Sequence, residues 1–166
     1  MKLLAILLFF LSLALTTSIS NEENLLPIFN LKSGFYNDDS IKLEISIEDP
    51  EAVIYYTLDG SNPTINSTIY TNLIILKDKS FEENVYSNIT NATAERNYTP
   101  IVKVKKANII RAMAKLSNGT FTPIISRTYF VGLNRKELYG NVPIISIITD
   151  PENLFGYEKG IYVIII

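Results

Sequence analysis

The chain has 166 residues, a formal net charge of −2, and no His, Cys or Trp. Those absences exclude a Ser-His-Asp triad, a Cys-His dyad, a disulfide framework and a conventional zinc site. The nearly balanced charge supplies no basic field for nucleic acid.

Residues 1–20 have the three parts of a secretory signal peptide. Lys2 is the positive start, Leu3 to Leu15 is an apolar run broken only by Ser12, and Ser18 and Ser20 are the small residues before a cleavage point at Asn21. The apolar run is shorter than the ~20 residues that span a bilayer. The expectation is a secreted or cell-surface chain with no transmembrane span after cleavage.

Period-two patterning begins at Ile41. Ile41, Leu43, Ile45 and Ile47 share one face, and Lys42, Glu44, Ser46 and Glu48 share the other, as in a half-buried strand. Asp49-Pro50 ends it. Val53 to Leu58 is β-branched and aromatic. Asp59-Gly60-Ser61-Asn62-Pro63 is a run of turn formers. Short strands are predicted at 68–70, 73–76 and 101–104, and longer ones at 108–116 and 124–131. Asn118-Gly119 marks a hairpin between the last two. The fold predicted is all-β: an immunoglobulin or fibronectin III-like antiparallel sandwich, monomeric, over residues 21–131.

Residues 77–100 read as a long polar insertion in that sandwich. Asn-x-Ser/Thr acceptors for N-glycosylation stand at Asn66, Asn88, Asn91, Asn97 and Asn118; Asn62 is followed by Pro63 and does not count. Residues 132–141 read as a linker. Ile144 to Ile148 and Ile161 to Ile166 read as buried-type apolar strands that need partners, and so as an aggregation-prone C-terminal segment.

Few residues offer chemistry. Asp38-Asp39 and Glu82-Glu83 are neighbours in loops, and adjacent strand residues point to opposite faces. Neither pair is set across a cleft at the about 5–9.5 Å that glycoside hydrolysis needs. Asp38, Asp39 and Asp59 lack an EF-hand spacing for calcium. The glycines form neither GxGxxG nor a P-loop. Arg111 and Arg127 read as strand-face partners of Glu44 or Glu48. Tyr55, Tyr56, Tyr70, Tyr129 and Phe130 read as packed strand aromatics rather than exposed sugar platforms. The reading is no catalytic residue, no cofactor and no metal.

Four segments appear in order: Tyr55-Tyr56-Thr57-Leu58-Asp59-Gly60-Ser61-Asn62-Pro63-Thr64, Ser67-Thr68-Ile69-Tyr70, Ile109 to Ala114, and Ser126 to Val131. Together they resemble the β-sandwich module named after the C-terminal domain of chitobiase and β-hexosaminidase, also found beside some fucosidases. The turn residues Tyr56, Thr57, Asp59, Gly60, Ser61, Pro63 and Thr64 carry the resemblance, which covers about 27–131. It implies an accessory module in the company of glycan-active enzymes, with a glycan or a cell-surface protein as partner. Val142 to Phe155 and Gly156 to Val163 are similar to the opening of the spore-coat CotH family, whose members have an atypical kinase-like fold. Residues 142–166 would then be the start of such a domain. None of that family's nucleotide- or metal-binding positions falls in this sequence. The functional expectation is a secreted, non-catalytic module for spacing, docking or presentation. The alternatives are a piece of a CotH-type kinase and a carbohydrate-binding or adhesion module.

Overall fold

The computed structural model describes residues 25–85 and 102–161. The expected signal peptide, Asn88, Asn91, Asn97 and residues 162–166 lie outside them.

Among the described residues, nine strands build two layers. The larger is a five-stranded sheet in the order β2 (Gly34–Tyr36), β9 (Ile125–Val131), β8 (Asn108–Lys115), β5 (Val53–Thr57), β6 (Thr68–Ile69). The second layer is two ladders, β1 (Ile28–Phe29) with β4 (Ile45–Ser46), and β3 (Ser40–Leu43) with β7 (Ile74–Lys77). The core lies between the layers. Ile41, Leu43, Ile45, Ile74 and Leu76 meet Ile54, Ile110, Ala112, Ala114, Tyr129 and Val131. Strand alternation places these residues inward, and burying them drives the two layers together. The chain is an all-β sandwich of immunoglobulin-like type.

Three departures from the sequence reading have local causes. β2 runs parallel to β9, with Phe35 opposite Phe130, so the larger sheet is mixed rather than antiparallel throughout. The strand expected over 41–48 is broken at Glu44. There Asn30 takes the ladder's place: its Nδ2 donates to the Lys42 carbonyl at 3.4 Å, and the Glu44 N–H donates to its Oδ1 at 2.9 Å. Residues 102–104 form no strand. The Asn84 side chain holds them instead, donating to the Val102 carbonyl at 3.2 Å and accepting from the Val104 N–H at 3.1 Å. With the Lys103 ammonium on the Phe81 carbonyl at 2.8 Å and Lys106 on the Glu82 carbonyl at 2.7 Å, these bonds close the neck of the insertion.

The β8–β9 hairpin turns at Asn118-Gly119 as predicted, and it carries a bulge. Ala112 pairs with Ile125, yet Lys115 bridges Phe121, so three residues of the returning strand oppose two of β8. Pro123 sits in that stretch, where a ladder donor is not required. Thr122 is buried and repairs the gap: its Oγ1 accepts the Ala114 N–H at 2.9 Å.

Residues 132–141, read as a linker, contain the helix α1 (Arg135–Tyr139). Asn134 caps it by accepting the Lys136 and Glu137 N–H groups. Tyr139 packs edge-on against Phe35, ring centroids 5.8 Å apart. Residues 142–150 form no ladder, contrary to the strand expected over 144–148, and Ile145 and Ile147 are 82% and 80% exposed. A short helix, α2 (Pro151–Phe155), comes next. Among the described residues no helix is long and apolar enough to cross a membrane.

Candidate functional site

The turn after β5 is built by its own side chains. Thr57 Oγ1 donates to the Ser61 carbonyl at 2.7 Å. Asp59 Oδ1 accepts the Ser61 hydroxyl at 2.6 Å and the Ser61 N–H at 3.0 Å. Pro63 is buried, and Thr64 accepts the Asn66 N–H on its Oγ1 at 3.2 Å while its own N–H reaches the Ser67 hydroxyl at 2.9 Å. Tyr56 anchors the turn below, edge-on to Tyr70 with centroids 6.3 Å apart. Thr57, Asp59 and Ser61 thus form one bonded cluster around Gly60, and Thr64 forms a second with Asn66 and Ser67 after Pro63.

These bonds also set the charge of the turn. The Ser61 hydroxyl, then the Ser61 N–H, hold the Asp59 carboxyl below its ordinary value, against a small opposing effect of burial; Lys79 adds attraction. A depressed carboxylate stabilises the fold fully above its unfolded pKa and loses that contribution as pH falls through the folded value. Unfolding midpoints measured from neutral pH down through the carboxylate range are thus expected to fall more steeply for the wild type than for Asp59→Asn. Parallel curves would contradict this role.

Arg111 joins the turn to the C-terminal segment. Pairing with Thr57 puts it on the outer face of the larger sheet. Its Nη1 donates to the Gly60 carbonyl at 3.0 Å and lies 3.8 Å from Asp150 Oδ1. Asn62 Nδ2 reaches both Asp150 carboxylate oxygens at 3.3 and 3.4 Å. Asp150 precedes α2, so the turn and the arginine together grip the segment where the helix starts. A second tie lies along β9, where the Thr128 and Ser146 hydroxyls are 2.9 Å apart. Residues 142–155 thus cross the outer face of the sheet.

The arginine partners expected from sequence are corrected. Arg111 turns to Gly60 and Asp150, and Arg127 lies over the Phe29 ring at 5.5 Å. Sequence spacing could not reveal Asp150, which is distant in the chain. Asp38, Asp39, Glu82 and Glu83 are not gathered: among the described residues no three acidic side chains are grouped as metal ligands. Glu83 instead pairs with Lys103, whose hydrogen bond and charge hold its carboxyl below the ordinary value.

Among the described residues, two openings flank the turn. A polar groove of about 610 Å³ runs between Tyr56, Asp59, Asn66, Ser67 and Lys79. A more apolar cavity of about 510 Å³ lies between Leu58, Ile109, Val104 and Val85. Asn66 and Asn118 are both exposed in turns.

Residues 31–82 match the family model described as the chitobiase/beta-hexosaminidase C-terminal domain. The match takes in β2 to β7 and the whole turn. It supports the first of the two resemblances and lends nothing to the CotH one. No curated protein and no solved structure matches the chain.

Proposed function

We propose that the chain is a non-catalytic accessory sandwich of a secreted, glycan-directed protein, serving to dock and orient a neighbouring domain on its C-terminal side. The observation that carries this reading is the grip on Asp150 by Asn62 and Arg111. It makes the turn a joint. The match to a chitobiase-type module supports the glycan-directed setting. The similarity of residues 142–163 to the CotH opening supports a kinase-like neighbour as the domain oriented.

Asp150→Ala removes the Asn62 and Arg111 contacts and leaves the Thr128–Ser146 tie in place. Because the ion pair is partly exposed, it contributes only about 0.2–1 kcal/mol, so the sandwich stays folded. Limited chymotrypsin digestion is expected to cut after Phe155 several-fold faster in this variant, with the unfolding midpoint of the sandwich nearly unchanged. Equal cleavage rates would overturn the joint.

The second reading, a carbohydrate-binding module, rests on the polar groove beside Tyr56 and Lys79. Retention of the full chain, made in a host that adds no N-linked glycan, on chitin, cellulose or xylan tests it. Loss of retention in Lys79→Ala is the expected result, and no retention on any of the three counts against it.

A further inference from the structure

The polar groove has an occupant written into its own wall. Asn66 lines it, and Asn66-Ser67-Thr68 is an N-glycosylation acceptor. Asn66 is exposed in the turn ahead of β6, and its backbone N–H, not its side chain, binds the Thr64 hydroxyl. Its Nδ2 has no hydrogen bond among the described residues. Thr68, which completes the acceptor, is exposed on an edge strand. Asn118 provides the contrast. It is exposed too, and its Oδ1 accepts the Thr120 hydroxyl at 2.7 Å, but it lies in the β8–β9 turn rather than in the groove.

We propose that Asn66 and Asn118 both carry N-linked glycans, and that the Asn66 glycan lies in the groove against Tyr56 and Lys79. In the attachment step the Asn Nδ2 bonds to the anomeric carbon of a lipid diphosphate-linked oligosaccharide. The anomeric C–O bond breaks, the lipid diphosphate leaves with the electron pair, and one amide proton passes to a base. The groove suits the first sugars. Its lining offers the Lys79 ammonium, the second Asp59 carboxylate oxygen and the Ser67 hydroxyl hydrogen, which the turn's own bonds leave over, to a ring of hydroxyls, with Tyr56 and Leu58 also in the lining. A glycan held there excludes outside ligands from the groove, whereas one at Asn118 leaves the groove open.

The test secretes the full chain from a eukaryotic host and maps glycopeptides by mass spectrometry. Accessibility is then read from the labelling rate of Lys79 by an amine-reactive reagent, with the exposed Lys115 as internal reference. Both asparagines are expected to be occupied. Lys79 should label several-fold faster in Asn66→Gln and in Thr68→Ala, two variants that abolish the acceptor by different changes, and at the wild-type rate in Asn118→Gln. An unmodified Asn66, or Lys79 labelling that ignores loss of the Asn66 glycan, overturns the proposal.

Discussion

Tyr129→Ala is expected to lower the free energy of unfolding by about 3–5 kcal/mol, the range for removing a large buried aromatic. The side chain has no exposed surface and shares the core with Leu43, Ile110 and Val131. Its ring tilts against Tyr36 with centroids 6.0 Å apart. Its hydroxyl donates to the Leu31 carbonyl at 3.1 Å, which ties the segment before β2 to the core of β9. Burial raises the phenol's pKa well above the ordinary tyrosine value, so the group stays a donor. Tyr129→Phe separates the two contributions. It keeps the packing and forfeits only the hydrogen bond, for a loss of about 1 kcal/mol. Chemical denaturation of both variants checks the pair. A loss under about 1 kcal/mol for Tyr129→Ala would contradict a core packed around this ring.

Gly132→Ala is expected to destabilise by about 2–5 kcal/mol, from two additive causes. The residue has φ +70°, where an L side chain costs about 1–2 kcal/mol. A Cβ there would also lie 2.8 Å from the Asp78 Cβ, and such overpacking costs about 1–3 kcal/mol. The chain cannot move aside easily. The Gly132 N–H donates to both the Tyr36 and Asp38 carbonyls, at 2.8 and 3.0 Å, and closes β2 against β9. Gly119→Ala is the control. Its φ is +84°, but nothing lies within 4 Å of the added carbon. Denaturant midpoints should therefore fall further for Gly132→Ala than for Gly119→Ala, and equal shifts would rule out the contact with Asp78.

Much of the fold is legible in the sequence because it depends on local alternation. Ile41, Leu43 and Ile45 point inward on period two even though Asn30 interrupts the ladder beside them. The turn from Tyr56 to Thr64 is legible because Thr57, Asp59, Ser61 and Thr64 bond to residues within four positions in the chain. The features that escape the sequence depend on distance. Gly34-Phe35-Tyr36 has no alternation, and the Phe35–Phe130 stack, centroids 4.3 Å apart, together with the Tyr36–Tyr129 contact shows why it lies beside β9. Arg111 reads from spacing as a partner of Glu44 or Glu48, but its carboxylate comes from residue 150. The error over Ile144 to Ile148 has a different source. Four isoleucines broken only by Ser146 have strand propensity, but a strand also needs a ladder partner, and none pairs with this segment among the described residues.

The joint between the turn and the C-terminal segment is the central claim, and nuclear Overhauser contacts in the full chain test it most directly. Cross-peaks between Ser146 and the Thr128 methyl, and between Asp150 and the Asn62 side-chain amide, are predicted alongside those of the core pair Tyr36–Tyr129. Core cross-peaks present with both others missing would show a folded sandwich whose C-terminal segment is not docked, and would contradict the joint.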